Sequence, residues 1–230
     1  MGKREGDLFS NEGPGFTLSE ISKRIGVNKT SVYRFVNTYC SLGYLRRDER
    51  SKMYKLGVCA MALAHSFLQR AEMVQPVKLL VDDVHKQYDL HVDVGIFQDD
   101  AIYVIYRRES NDTLAFRHFT TESGLYYLAT GKAAMAFLAD AELESLLARL
   151  VLSPKTENTI VDKDCLREEL KATRGRGYAL TREEFVPGLI AIGAPIINLH
   201  TRKVLGGVSF DAPPPSIQWR TSKKIRTTPG

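Results

Sequence analysis

The chain has 230 residues, of which 43% are hydrophobic and 26% are charged. This length and composition are typical of a globular protein of one or two domains, and they exclude a fibrous or intrinsically disordered chain. Because no apolar run reaches about 18 residues, we expect no transmembrane helix, and the polar start of the chain lacks the apolar segment of a secretory signal.

The net charge of +5 is unevenly distributed along the chain. Residues 16–57 contain nine Lys or Arg and three Asp or Glu, a net charge of +6. Residues 58–211 contain 17 Lys or Arg and 21 Asp or Glu, a net charge of −4. Residues 212–230 add four cations and no acidic residue. A basic module in front of an acidic body is typical of a polyanion-binding head on a domain with another purpose, although solvated surfaces are often basic too.

Two short helices are predicted near the start of the basic module. Thr17 and Glu20 have the spacing of a capping box, which begins a helix, and Gly26 is placed to end it. Asn28 is a strong N-cap for a second helix, which Gly43 closes. Because only about three residues separate the helices, this pattern predicts a helix-turn-helix.

The second predicted helix has two chemically different sides. The apolar residues Val32, Phe35, Val36, Tyr39 and Leu42 fall on one side. In a helix-turn-helix the second helix enters the major groove of DNA, where short hydrogen-bonding side chains and cations read base edges and phosphates. The candidate DNA-binding residues of the other side are Lys29, Thr30, Ser31, Tyr33, Arg34 and Asn37.

A basic hairpin is predicted after this helix. The strand-like runs Tyr44–Arg47 and Met53–Leu56 flank a polar turn. The cations of this wing, which could contact phosphates or the minor groove, are Arg47, Arg50, Lys52 and Lys55. The alternative is a solvated helix pair with a charged hairpin.

The order and spacing of these residues resemble a known family. The run from Phe16 to Val36, followed by Leu42–Asp48 and Tyr54–Gly57, is similar to the winged helix-turn-helix of the IclR family of bacterial transcriptional regulators. The resemblance implies a domain that binds double-stranded DNA.

The remainder of the chain is predicted to alternate strands and helices. An Ala- and Leu-rich helix over residues 58–75 connects the head to the body and is a candidate surface for a second copy of the chain. Pro76 breaks or restarts this helix, and an amphipathic helical pattern continues toward Tyr88. The predicted strands are His91–Phe97, Ala101–Tyr106, Leu114–Phe119, Ile190–Leu199 and Val204–Phe210. The predicted helices are Thr130–Ala139, Asp140–Leu150 and Asp162–Arg174, the last ended by Gly175 and Gly177. This pattern predicts an α+β domain on a mostly antiparallel sheet.

The body also resembles the IclR family. The segments Leu128–Ala136, Arg176–Glu184, Gly188–Ile196 and Gly207–Asp211 are similar to the signature region of its effector-binding domain, which has a GAF-like fold. The effector pocket implied by this resemblance is lined by Ala129, Thr130, Thr181, Ala191 and Ser209, with Asp211 at its edge. Leu189 is a further apolar candidate, and the start of a helix at Ala129 favours a ligand carboxylate.

Other chemistries find little support in the sequence. Cys40, Cys59 and Cys165 are far apart and are predicted to be free thiols of a cytoplasmic protein. The five histidines lack metal-ligand spacing, so we predict neither a metal site nor a cofactor. Glu183 and Glu184 are neighbours in an extended segment and point apart, and no nucleophile motif occurs, so we predict no enzymatic activity.

These observations predict five segments. They are an irregular arm (1–15), a winged helix-turn-helix (16–57), a connecting helix (58–75), a GAF-like effector-binding domain (76–211) and a basic tail (212–230). The predicted function is that of a transcriptional regulator that binds palindromic operator DNA, with its DNA affinity controlled by a small metabolite. We expect this metabolite to be a carboxylate, and the protein to be a cytoplasmic homodimer or homotetramer. The alternative is a metabolite-binding or enzymatic GAF-like protein whose head makes only protein contacts.

Overall fold

A computed structural model describes residues 15–70, 74–110, 121–122 and 124–212. The predicted strand Leu114–Phe119 lies outside these residues, as do the predicted arm and tail apart from their inner ends. The described chain forms two compact units: most residues up to Lys78 belong to the first, and most residues from Leu79 onward to the second.

The first unit begins with the two predicted helices. Helix α1 (Leu18–Ile25) starts at Thr17, whose backbone N–H donates to Glu20 Oε2 over 2.7 Å, and ends at Gly26 in the left-handed conformation (φ 70°). Helix α2 (Lys29–Ser41) starts at Asn28, whose side-chain oxygen accepts the backbone N–H of Ser31. These caps confirm the predicted helix-turn-helix and show how local hydrogen bonds define it.

A two-stranded antiparallel wing completes this unit. Strand β1 (Leu45–Arg47) pairs with β2 (Tyr54–Leu56), and Asp48 orders the turn by accepting the backbone N–H of Ser51. Phe16 exchanges two backbone hydrogen bonds with Tyr54, of 3.0 and 2.7 Å. These bonds fasten the wing to the residue before α1.

The core of the first unit covers only part of the apolar side of α2. The buried residues are Phe16, Ile21, Val32, Val36, Leu45 and Tyr54. The five apolar side chains of α2 lie on one side as predicted, but only Val32 and Val36 are buried, and Phe35, Tyr39 and Leu42 are 62%, 50% and 55% exposed. With about 100° between successive helical residues, these three lie at the edge of the apolar side away from Val36, and the core covers only Val32 and Val36.

Two helices follow the wing, one over the predicted connecting segment and one over the amphipathic pattern predicted to continue toward Tyr88. Helix α3 (Cys59–Arg70) belongs to the first unit, and helix α4 (Val74–Tyr88) lies mostly in the second. Pro76 lies in the first turn of α4, where a missing N–H costs no helical hydrogen bond. Within the described ranges, no helix combines the length and the apolar character needed to cross a membrane.

The second unit is built on a six-stranded sheet. Its strands are β3 (His91–Gln98), β4 (Ala101–Arg108), β5 (Thr121–Glu122), β6 (Ala179–Arg182), β7 (Ile190–Ile197) and β8 (Val204–Ala212), in the order β5-β4-β3-β8-β7-β6. The pairs β3–β4, β3–β8, β6–β7 and β7–β8 are antiparallel. The α+β fold is therefore confirmed, with β6 as a strand that the helix and strand prediction missed.

Helices cover both faces of this sheet. On one face, Asp82 of α4 accepts a hydrogen bond from Tyr106 of β4. On the other face, α5 (Ala129–Ala136) packs on β7 and β8, together with α6 (Asp140–Arg149) and α7 (Lys163–Arg176). Of the two glycines predicted to end α7, Gly177 (φ 86°) forms its C-cap, whereas Gly175 lies within the helix, which continues to Arg176.

The start of α5 lies directly against two glycines of the sheet. A Cβ atom on Gly193 would lie 2.1 Å from the carbonyl oxygen of Ala129, and one on Gly207 would lie 2.5 Å from that of Thr130. Only glycine allows such an approach without moving the backbone. The two glycines therefore position the beginning of α5.

We expect Gly193→Ala to destabilise the second unit by about 1–3 kcal/mol, because the added methyl group displaces backbone of α5 rather than a flexible side chain. Gly175→Ala is the matched control, since nothing lies within 4 Å of its added Cβ and alanine favours a helix interior. Thermal unfolding of both variants measures the difference. Equal stability of the two proteins would contradict this account of α5.

Candidate functional site

The outward side of α2 presents most of the predicted recognition residues to solvent. Lys29, Thr30, Tyr33, Arg34 and Asn37 are exposed, whereas Ser31 is half-buried. At about 100° per residue the five exposed side chains lie on one side of the helix, opposite the stripe of Phe35, Tyr39 and Leu42. This recognition face carries two cations and no acidic residue.

The wing adds cations beside this helix in the same unit. Arg47, Arg50 and Lys52 are exposed. The Arg47 guanidinium lies 5.8 Å from the centre of the Tyr54 ring, and Lys52 Nζ lies 3.2 Å from Glu49 Oε2 in a largely exposed pair. Because exposed ion pairs contribute little and are screened by salt, the Glu49 carboxylate leaves Lys52 able to contact phosphate.

Four of the predicted effector residues come together on the sheet. Thr181 pairs with Ala191, Ala191 pairs with Asp211, and Ser209 lies two residues before Asp211 on the same strand. Directly paired residues of an antiparallel sheet point to the same face, and so do residues two apart. Because Gly193 and Gly207 on this face meet α5, the four side chains lie on the face that α5 covers.

The other predicted pocket residues lie at two places. Ala129 and Thr130 are buried in the first turn of α5, against Gly193 and Gly207, and no side chain caps this helix at Leu128. A helix start without a side-chain cap offers backbone N–H donors to an anion. Leu189 is half-buried in the turn before β7 and is not one of the paired sheet residues. Its carbonyl oxygen accepts a hydrogen bond from the backbone N–H of Glu183.

A charged cluster that was not predicted from the sequence lies beside the paired effector residues, on the same face of the sheet. His91 of β3 pairs with Asp211, and Asp93 pairs with Ser209 on one side and Arg107 on the other. Arg107 donates from Nε and Nη2 to the two oxygens of Asp93 over 2.5 and 2.6 Å, and His91 Nε2 lies 3.5 Å from Asp93 Oδ1. The only sequence signal was the polar pair His91 and Asp93, two residues apart in an otherwise apolar strand.

Burial and charge shift the pKa values of this cluster in opposite directions. Burial acts to raise the pKa of Asp93, but hydrogen bonds from His91 and Arg107 outweigh it and lower that pKa. Burial, with the nearby Asp93 charge, raises the pKa of Asp211 to about 7. Burial acts to lower the pKa of His91, yet Asp93 and Asp211 raise it overall. The cluster therefore combines one firmly ionised carboxylate with one that resists ionisation.

A buried ion pair holds α5 in place. Lys132 of α5 is fully buried, and its Nζ donates to both oxygens of Glu184 over 2.6 and 2.7 Å. Burial raises the pKa of Glu184, while the charge of Lys132 opposes that shift. Glu183 instead accepts the backbone N–H of Gly188, so the two adjacent glutamates have separate partners and do not form a catalytic pair.

A winged helix-turn-helix with an exposed, basic recognition face, followed by a separate α+β unit, defines a two-domain transcriptional regulator. Comparison with known proteins gives the same class. Residues 7–49 match the family model of the IclR helix-turn-helix domain, and residues 65–226 match that of the bacterial transcriptional regulator IclR C-terminal domain.

Individual relatives agree with these family matches. The HTH-type transcriptional regulator BhcR of Paracoccus denitrificans is 30% identical over 86% of this chain and 71% of its own. KipR of Bacillus subtilis, also an HTH-type transcriptional regulator, is 30% identical over 89% of this chain and 81% of its own. The crystal structure of the Thermotoga maritima IclR has a TM-score of 0.66 at 25% identity and covers 92% of this chain and 85% of that one.

The chain belongs to the IclR family of bacterial transcriptional regulators. It is a DNA-binding regulator with a helix-turn-helix domain and a C-terminal effector domain, and not an enzyme. The alternative of a head that makes only protein contacts is not favoured, because the matched relatives are named as HTH-type regulators.

Proposed function

We propose that the protein binds a palindromic operator with α2 in the major groove of each half-site. The observation that carries this proposal is the exposed recognition face of α2, held by a capped helix pair beside a basic wing. In this arrangement the exposed Arg34 and Lys29 would pair with guanine, and the exposed Thr30, Tyr33 and Asn37 would meet base edges or phosphates. Ser31, half-buried, is assigned to a phosphate contact near the helix start.

The proposal is tested by a gel shift with the DNA next to the protein's own gene as the probe. We expect one retarded complex that an unrelated duplex of equal length does not compete away. Its affinity should fall steeply as salt rises from about 50 to 200 mM, because phosphate contacts release counterions. Binding that ignores both sequence and salt would contradict the proposal.

The wing cations should act differently from the recognition face. We expect Arg50→Ala and Lys52→Ala to weaken binding to operator and to unrelated DNA by similar factors, because phosphate contacts carry no sequence information. Each change should also reduce the slope of log affinity against log salt by about 1. A loss confined to the operator would show instead that these residues read bases.

We infer that two copies of the chain associate, as a homodimer or a dimer of dimers. The first unit exposes apolar side chains that a monomer rarely leaves in water: Val58, just before α3, is 78% exposed, and Met61 and Phe67 of α3 are 72% and 56% exposed. The stripe of Phe35, Tyr39 and Leu42 lies opposite the recognition face, so a partner there leaves DNA contacts free. A palindromic operator requires such two-fold symmetry.

Light scattering coupled to size exclusion measures this association. We expect the wild-type chain to have the mass of a dimer or tetramer, and Met61→Asp with Phe67→Asp to lower that mass. Tyr178→Asp is the control, because Tyr178 is an exposed aromatic residue of the second unit. A monomeric wild-type protein would contradict the inference.

We propose that a small organic acid binds the second unit and changes DNA affinity. Support comes from the uncapped start of α5 at Ala129 and Thr130, and from the hydroxyls of Thr181 and Ser209. Ala191 and Leu189 supply apolar contact, and Asp211 lies at the edge. An IclR homologue of Microbacterium hydrocarbonoxydans, 18% identical with a TM-score of 0.69, was crystallised with 4-hydroxybenzoate, which is an acid of this class.

A panel of small carboxylic acids that includes 4-hydroxybenzoate tests the effector site. We expect one or more acids to raise the unfolding temperature and to change operator affinity by about 5- to 150-fold, the usual range of coupling. Thr181→Val should weaken the effect of the acid on operator affinity while leaving the DNA affinity measured without the acid unchanged.

Because the target of such a regulator is chromosomal DNA, we infer that it acts in the cytoplasm.

A further inference from the structure

Half of the sheet face that points away from α5 carries apolar side chains that are only partly covered. At its centre Ile192 of β7 pairs with Leu180 of β6 on one side and with Phe210 of β8 on the other. The chain neighbours Ala191 and Ser209 point toward α5, so these three side chains point the opposite way. The outer patch, as we call this surface, consists of the half-buried residues Leu180, Ile190, Ile192, Ala194, Ile196 and Phe210.

The other half of the same face is fully covered. Val92 of β3 pairs with Phe210, yet Val92 and Val94 are 0% and 1% exposed. Helix α4 lies over this half, because its Asp82 accepts a hydrogen bond from Tyr106, which pairs with Val94. Within the described ranges, α4 therefore shields one half of the face, and the outer patch keeps contact with water.

The chain supplies apolar side chains directly after this surface. Strand β8 ends at Ala212, which pairs with Ile190 of the outer patch. Three prolines follow, and without N–H groups they cannot extend the pairing of β8. Ile217 and Trp219 come next. An extended chain advances about 3.3–3.6 Å per residue, so Trp219 can reach about 25 Å from Ala212, beyond the roughly 20 Å length of the patch along β7.

We propose that residues 213–226 of the same chain bind the outer patch, with Ile217 and Trp219 packed against Ile192. Removing these large apolar side chains and the patch from water together drives the contact. Arg182, exposed at the rim on β6, offers a guanidinium on which an indole ring can stack. A second copy of the sheet fits this surface less well, because it would have to exclude a segment that starts beside it.

The single tryptophan of the chain makes the contact measurable on the whole protein. We expect the Trp219 emission of the folded wild-type protein to lie to the blue of that of the denatured chain, and acrylamide to quench it several-fold less. Ile192→Gln should shift the emission to the red and restore most of the quenching, because an amide makes the patch polar. Leu199→Gln, the matched control in the exposed β7–β8 turn, should change neither.

Trp219 as accessible in the folded wild-type protein as in the denatured chain would overturn the proposal. So would an Ile192→Gln variant in which Trp219 stays as protected as before. A blue shift that disappears on dilution would assign the contact to a neighbouring chain and overturn it equally. If circular dichroism shows that Ile192→Gln fails to fold, Leu180→Gln on the edge strand β6 repeats the test. All these results leave the proposals on DNA and effector binding unchanged.

Discussion

Lys132→Met is expected to destabilise the second unit by about 3–5 kcal/mol. The substitution keeps most of the length of the unbranched side chain but removes the only charged partner hydrogen-bonded to Glu184 among the described residues. Glu184 must then stay ionised without compensation or take up a proton inside the protein, and both states are costly. Chemical denaturation followed by circular dichroism measures the change in the free energy of unfolding.

Two further variants separate the buried pair from ordinary surface charge. Arg167→Ala breaks an ion pair with Glu144 in which the side chains are 40% and 55% exposed, and we expect a loss below about 1 kcal/mol. Replacing Lys132 and Glu184 together by methionine should recover most of the loss, because no unpaired charge then remains. A double variant as unstable as Lys132→Met alone would show that packing, rather than charge, is responsible.

Arg34→Ala is expected to reduce operator affinity by about 5- to 150-fold, equivalent to about 1–3 kcal/mol for a bidentate contact with guanine. Arg34 is exposed on the recognition face, one helical turn after Thr30, and the loss should be much smaller on unrelated DNA because a base contact contributes there far less. Thr30→Ala should act in the same direction with a smaller effect. Gel shifts on both duplexes measure the ratio.

Lys171→Ala is the matched control for this experiment. Lys171 is an exposed cation in helix α7 of the second unit, so its removal changes the net charge equally without touching the proposed interface. We expect operator binding within twofold of wild type. If Arg34→Ala and Lys171→Ala weakened binding alike, the effect would reflect net charge, and α2 would not be the reading helix.

Local signals in the sequence were sufficient to predict the two helices of the DNA-binding unit. The Thr17–Glu20 capping box and the Asn28 cap predicted α1 and α2 within a residue or two, since each is a hydrogen bond between near neighbours in the chain. Strand alternation likewise predicted the β3–β4 hairpin around Asp99. Where the controlling interaction spans a few residues, the sequence contains all of it.

Features that depend on distant partners were decided only by tertiary structure. Sequence periodicity placed Phe35 with Val32 on one side of α2, but which stripe is buried depends on where α1 and the wing pack. The pairing of Lys132 with Glu184, and the meeting of His91 with Asp211, join residues 52 and 120 positions apart. Such contacts follow from strand order and register, which no local pattern specifies, because burial and charge compensation are properties of the assembled sheet and helices.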